Sequence, residues 1–263
     1  MPRTAVLHQV IPLPLSGTAS MVAPQLRALP RSVPLCSQCA LLSFCMPHCG
    51  AEMGPLVDAL VAQRTRVRKG ETLVFAGAPF TSLFAIRTGS CKSAIMTPGG
   101  QEHIAGFHIA GDTVGAEGIY AGRYEGTITA LEDSEFCVMP FDRVTALARE
   151  SGDFQRGLSE LLSREIGRER KVMLMLATMH AEQKLASFLL DLADRYRARG
   201  YSSSEFVLRM TREEIGSHLG LKLETVSRLF SRFHKDGLIH VQGREVKLLD
   251  RVALQRLVDA TLQ

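Results

Sequence analysis

No apolar run in this 263-residue sequence approaches the roughly 20 residues needed to cross a bilayer, which excludes a membrane-spanning helix as an organising element. Pro12 and Pro14 interrupt the apolar stretch at the N-terminus, making it a poor secretion signal, so the protein is expected to be cytoplasmic. No glycine-rich dinucleotide fingerprint follows a strand-like run, and no nucleophile–base pairing can be placed, so an enzyme is not expected. Internal repeats and low-complexity tracts are also lacking. Nor is the charge strongly one-sided: a formal +4 and a pI near 8.8 permit a nucleic-acid partner without requiring one. What is present, 46% hydrophobic and 22% charged residues, can build one large domain or two ordinary ones with real cores.

Residues 1–30 carry Pro2, Pro12, Pro14, Pro24 and Pro30 with no persistent period and are expected to form a flexible leader. A cysteine-rich segment occupies 31–50, followed by a short apolar helix around 55–62. From Arg66 to Phe141 short apolar or alternating runs (72–75, 83–87, 92–96, 103–107, 127–131, 135–139) are punctuated by Gly77, Gly89, Gly99, Gly100, Gly111 and Gly126. Strands and turns at this spacing predict a small antiparallel barrel or roll within a domain of 51–150. Of His103 and His108 in it, one is expected to pack and the other to lie at a turn or on the surface.

After Asp142 the period becomes helical. Leu162, Ile166, Glu169, Met173 and Leu176 follow the alternating four-and-three spacing of a coiled-coil seam and predict a dimerisation helix over 151–180. A further helix, about 181–199, should end at Gly200 and open a C-terminal unit over 181–263.

Thr211 to Phe233 reads as a helix-turn-helix. Thr211 with Glu214 makes a capping box, Gly216 is small where helices cross, and Gly220 can take the positive φ of a tight turn. Ile215, Leu219, Leu221, Val226 and Leu229 fall on inward positions. Glu224, Thr225, Ser227, Arg228 and Arg232 are left on or near the outward face. Arginine can pair with guanine, glutamate can accept from cytosine, and serine suits a base edge or a phosphate, so this face can read double-stranded DNA. Residues 238–249, with Gln242-Gly243-Arg244 at their middle, predict a β-hairpin wing. From Arg209 to Arg251 nine Lys or Arg stand against six Asp or Glu, a modest surplus for phosphate contacts.

Six cysteines stand at 36, 39, 45, 49, 91 and 137. In a reducing compartment the first four point to a metal or redox site before a disulfide framework. Cys36, Cys39 and Cys45 offer three thiolates in one loop, suited to zinc or an iron–sulfur cluster, with Cys49, Cys91 and Cys137 as candidates for a fourth.

Taken in order, these parts resemble the cyclic-AMP receptor and FNR superfamily of bacterial regulators, in particular the oxygen-sensing fumarate and nitrate reduction branch. The likeness is carried by Cys36-x2-Cys39-x5-Cys45, Lys69-Gly70-Glu71-Thr72-Leu73, Ala85-Ile86-Arg87-Thr88-Gly89, Gly106-Phe107-His108-Ile109-Ala110-Gly111-Asp112 and Glu224-Thr225-Val226-Ser227-Arg228-Leu229. It implies an α+β fold with an N-terminal antiparallel β-roll, a long dimerisation helix and a C-terminal winged helix-turn-helix. It further implies a [4Fe–4S] cluster on Cys36, Cys39, Cys45 and Cys137, the last because it precedes Pro140-Phe141; Cys49 is near enough to replace Cys45. A cyclic nucleotide is not expected, because Ala116 and Gly126-Thr127 stand where a ribose-binding Glu and a phosphate-gripping Arg-Ser belong. Palindromic sites with half-sites like TTGAT and ATCAA, read by Glu224, Ser227 and Arg228, are implied, as is RNA polymerase as a partner. Glu169 in the seam would hold a homodimer near its threshold, with oxygen destroying the cluster and separating the subunits. The competing expectation is a structural-zinc regulator that binds DNA without sensing oxygen.

Overall fold

The computed structural model describes residues 35–46, 53–97 and 99–260; the leader expected over 1–30 and Cys49 lie outside the described residues. The cysteine segment enters as a 3-10 turn, Cys36–Gln38, and one helical turn, α1 (Leu42–Cys45), ahead of α2 (Gly54–Leu60). The roll follows: β1 (Gln63–Val67), β2 (Thr72–Val74), β3 (Ser82–Thr88), β4 (Ser90–Met96), β5 (Glu102–Ile109), β6 (Thr113–Val114), α3 (Gly118–Ala121), β7 (Thr127–Ala130) and β8 (Ser134–Pro140). These strands form two four-stranded antiparallel sheets, ordered β1-β8-β3-β6 and β2-β7-β4-β5.

Period two decides what each face of the first sheet touches. Phe84, Ile86, Phe136 and Val138 point between the sheets, with Val67, Leu73 and Ile128. Leu83, Ala85, Cys137 and Met139 point the other way, onto the cysteine segment, α2 and α4 (Phe141–Glu150). Because both faces are buried, these strands read as continuous apolar runs rather than as alternation.

The long helix α5 (Gly152–Thr178) is opened by Ser151, whose hydroxyl accepts from the Phe154 N–H. Phe154, Gly157, Leu161 and Met175 are buried. Along the predicted seam Ile166 is 51% and Met173 65% exposed, Glu169 is exposed and Leu162 half-buried. Leu176 is half-buried too, packed against the core of the C-terminal unit. Helix α6 (Ala181–Ala198) follows, with Gly200 beyond it at φ 80°.

The C-terminal unit comprises β9 (Glu205–Val207), α7 (Arg212–Leu219), α8 (Leu223–Lys235), β10 (Ile239–Gln242), β11 (Glu245–Leu248) and α9 (Arg251–Asp259), with strand order β10-β11-β9. The predicted capping box is formed: the Thr211 N–H donates to Glu214 Oε2 at 2.7 Å and the Glu214 N–H to Thr211 Oγ1 at 3.1 Å. Ile215, Leu219, Val226 and Leu229 are buried as expected, together with Phe230 and Phe233. Three strands were not expected, the two-residue β6 among them. In β1, the charged residues of Gln63-Arg64-Thr65-Arg66-Val67 hide a strand whose Arg64 and Thr65 are buried, and β9 is three residues long and pairs only with β11 among the described strands.

Helix α7 docks on β5, the edge of its sheet. Ser217 Oγ accepts from the Ile104 N–H at 3.0 Å, and the ring of His218 donates through Nδ1 to the Ile104 carbonyl at 3.1 Å, so an exposed edge is capped rather than left open. Lys92 of β4 pairs with Glu214 at 3.1 Å and Arg209 with Glu132 at 3.1 Å. Among the described residues no helix is long and apolar enough to cross a membrane.

Gly220 takes φ 63° in the turn, and a Cβ on Gly216 would stand 2.6 Å from the Leu221 carbonyl oxygen, a backbone atom that cannot step aside. Gly216→Ala is therefore expected to destabilise the chain by about 1–3 kcal/mol, read as a lowered urea midpoint; an unchanged midpoint would show that the turn is more pliable than its geometry.

Candidate functional site

Two sites emerge, one at each end of the chain. On α8 the inward set Val226, Leu229, Phe230 and Phe233 fixes the rotation of the helix, so that Glu224, Ser227 and Arg228 are exposed on the opposite face and Thr225 is half-buried. Arg232, also exposed, is already engaged: its guanidinium bonds Glu182 of α6 and lies 3.6 Å from Asp236. The N-terminal end of α8, where Glu224 lies, follows directly on the turn. The wing is formed as predicted by β10 and β11, with Gln242 opposite Glu245.

The other site is the space beneath the cysteine segment. Cys36, Cys39, Cys45 and Cys137 line one pocket whose remaining walls are mostly apolar, including Leu42, Met46, Val57, Leu60 and Met139, with Arg64 and Arg87 as its cations. Ser37 anchors the segment to α2, its N–H and hydroxyl donating to Asp58 at 3.0 and 2.9 Å. Cys137 reaches this pocket because it stands on the outward face of β8. Cys91, the alternative candidate, faces the opposite way into the core of the roll and is fully buried there, so it is not brought to the other three.

Burial pushes the Cys36 thiol up to about 11, with the Cys137 sulfur adding to the shift and Arg64 opposing it. Burial also raises Cys45 and Cys137, the latter opposed by Arg64, which hydrogen-bonds its sulfur. Thiolates in this pocket therefore need a cationic centre, and the donor set fits one that takes sulfur. Among the described residues no group of three or more His, Cys, Asp or Glu is placed to hold a metal ion. The four sulfurs border a common space without converging on a point.

Between the two sites lies a residue for which the sequence suggested no role. Asp112 is buried, and its carboxylate takes Arg195 at 2.5 Å, Arg199 at 2.6 Å and Arg168 at 3.5 Å. Those three guanidiniums hold its carboxyl far below the usual carboxylate range against the opposing effect of burial.

Residues 64–151 match the cyclic nucleotide-binding domain and residues 183–257 the Crp-like helix-turn-helix domain. The transcriptional regulatory protein btr of Bordetella pertussis is 43% identical over 235 residues, which are 87% of this chain and 97% of that protein. The chain belongs to the CRP/FNR family. Within it, the transcriptional activator protein anr of Pseudomonas aeruginosa is 39% identical over 91% of this chain and 98% of its own length. The fumarate and nitrate reduction regulatory protein of Escherichia coli is 37% identical over 86% and 91%. The solved structure of FixK2 from Bradyrhizobium japonicum matches with a TM-score of 0.69 and 28% identity, covering 75% of this chain and 98% of that one. As a member of the CRP/FNR family the chain is a DNA-binding transcription regulator and not an enzyme.

Both junction histidines stay neutral in the fold. Burial lowers His108, whose Nε2 meets Ser93 Oγ at 2.9 Å, to about 3, and burial lowers His218 against the opposing Ile104 carbonyl. His103 is half-buried nearby, so of the two roll histidines His108 is the one that packs. A folded-state value below the unfolded one means that the unfolded chain binds the extra proton, so stability is present above about pH 6.5 and falls as the pH drops toward the folded value. His108 should remove roughly 2 kcal/mol between pH 7 and pH 5, and His218 acts in the same direction. Urea midpoints at the two pH values should show the loss, and His108→Gln should show a smaller one; an equal loss in the variant would assign the effect elsewhere.

Proposed function

We propose that this regulator senses oxygen through a [4Fe–4S] cluster held by Cys36, Cys39, Cys45 and Cys137, forms a homodimer along α5 while the cluster is present, and then binds palindromic TTGAT-N4-ATCAA-like promoter sites to control anaerobic gene expression. The observation that carries this reading is the meeting of Cys137 with the three cysteines of the segment around one mostly apolar pocket. Such a group would supply positive charge that the thiolates need and iron–sulfide bonds that oxygen attacks. A structural zinc would use the same four sulfurs but would bring neither colour nor acid-labile sulfide.

The residues do the rest. Cys36, Cys39 and Cys45 tie the segment to β8 through Cys137, against α2 and the outward face of the roll. The exposed Ile166 and Met173 give a second α5 an apolar surface to cover. Glu169 opposes that pairing. Glu117 and Glu165 are both raised by burial first, with Glu169 among the carboxylates that add to the shift, so acidic groups gather beside the seam within each subunit and would be doubled in a parallel dimer. A dimer so balanced responds to a small input. Pairing sets two α8 helices about 34 Å apart, one DNA turn. Exposed Ile95 and Met96 at the β4–β5 end, and Tyr120 on α3, offer roll surface for RNA polymerase. A cyclic nucleotide has no part in this reading, since Ala116 offers no carboxylate for a ribose and Gly126 no guanidinium for a phosphate.

Protein purified without oxygen should be brown, carry about four iron and four acid-labile sulfide per chain, elute as a dimer and become a monomer in air. Colourless zinc-bearing protein, or a dimer that persists after full exposure to air, would refute the switch; Glu169→Ala should stay dimeric in air.

On the DNA side, Arg228→Ala should cost about 1–3 kcal/mol and relax preference at one position of each half-site. Arg232→Ala should cost less, because Arg232 is already paired within the chain. Competition binding against sites varied base by base measures both, and an Arg228 variant with unchanged base preference would remove it from the reading set.

A further inference from the structure

Phe44, the neighbour of Cys45, lies beside the Asp112 ion cluster. Its ring sits 4.9 Å beneath the Arg199 guanidinium. Next to it the Thr113 hydroxyl donates to the Cys45 carbonyl at 3.3 Å. The backbones approach so closely that a Cβ on Gly111 would stand 3.0 Å from the Phe44 Cβ and 3.2 Å from Arg199 Nε, while Gly111 itself takes φ 91°. One residue on, Asp112 joins Arg195 of α6, Arg199 just past the end of α6, and Arg168 of α5. Arg199 also donates through Nε to the Ala110 carbonyl at 2.5 Å, and Arg195 to the Phe107 carbonyl at 3.0 Å.

Three guanidiniums meet at Asp112, but two of them have a second carboxylate, Arg168 with Glu165 at 3.2 Å and Arg195 with Asp191 at 3.7 Å. Arg199 shares Asp112 with both, and burial together with like charge on Arg195 and Arg168 works against its cation. The negative face of an aromatic ring stabilises a cation so placed. Phe44 supplies that face from the cysteine segment, and Arg199 carries it to the end of α6, the helix that packs against α7, α8 and α9 in the C-terminal core.

We propose that Phe44, Arg199 and Asp112 form a relay through which the cysteine segment sets the position of α6, and with it the reading helix α8, separately from the dimer seam. In this relay Phe44 and Arg199 are positioning residues that touch neither the sulfur pocket nor DNA. The link from cluster to relay rests on the oxygen-sensing reading; the link from Phe44 to α6 does not.

Phe44→Leu keeps the bulk and removes the ring face, and Arg199→Lys keeps the charge and removes the flat guanidinium. Hydrogen exchange on the full, cluster-free chain should show faster exchange over 195–199 in both variants, at unchanged protection of the β3 and β8 amides. Unchanged exchange at 195–199 overturns the relay whether or not a cluster binds. In anaerobic protein both variants should match the wild type in visible absorbance and iron content, yet the ratio of DNA affinities before and after air should shrink by at least about fivefold, the lower end of ordinary coupling between sites. A wild-type ratio retained in both variants also overturns the relay. A wild-type chain that takes up no cluster refutes the oxygen-sensing reading instead, and the exchange measurement still decides the relay.

Discussion

One buried carboxylate ties three parts of the chain together. Asp112 leaves the roll at the end of β5, accepts the Ile109 N–H at 2.9 Å to close its own turn, and takes Arg168 from α5, Arg195 from α6 and Arg199 from the cap of α6. Removing one partner from a buried ion cluster costs about 3–5 kcal/mol, because the groups left behind stay out of water and unpaired. Neutral hydrogen bonds, such as those of Ser217 and His218 to the β5 edge, are each worth about 1 kcal/mol. Asp112 therefore fixes where α5 and α6 meet the roll, and the β5 edge adjusts α7 against it. Each contact restricts the reading helix, although none touches it.

How much of this could be read from the chain follows from how local each feature is. The helix-turn-helix is written within about twenty residues: Thr211 and Glu214 cap each other, Gly220 takes the turn, and the apolar spacing rotates Glu224, Ser227 and Arg228 outward. Most strands of the roll are legible because glycines bound them. The strand β1 is not, since Arg64 and Arg66 break the apolar pattern and Arg64 is buried beside Cys137 rather than in water. The Asp112 cluster is illegible for another reason. Its partners lie 56, 83 and 87 residues away, and three arginines on two helices look like ordinary solvated charge until the helices are folded together.

The cysteines fall between these cases. Three of them announce a site by their spacing, but the choice of a fourth among Cys49, Cys91 and Cys137 came from a family likeness and not from the residues. Strand alternation supplies the missing physical reason for two of the three. Cys137 shares its face of β8 with Met139, toward the segment, whereas Cys91 shares the roll interior with Phe84 and Ile128. A one-residue slip in β8 would turn Cys137 into the roll interior and remove it from the segment's pocket.

The same burial bears on how a signal could leave the pocket. With Cys36 at about 11 and Cys45 and Cys137 also raised, all three are neutral thiols near pH 7 unless a cationic centre is present, and neutral thiols pack as small apolar groups. Losing such a centre would therefore leave no buried charge to force the pocket apart. What it would remove is the cross-link between segment and β8. The polar ties that remain are Ser37 to Asp58, Thr113 to the Cys45 carbonyl and Phe44 to Arg199, contacts of about 1 kcal/mol each and only partly shielded from water. Beside them the buried Leu42 and Met46 keep an apolar hold on the roll, worth about 1.5–3 kcal/mol each. Losing the cross-link therefore loosens the segment without detaching it, so on the proposed reading what reaches Arg199 is a shift of Phe44 within a segment that stays docked, and the domain that carries it does not collapse.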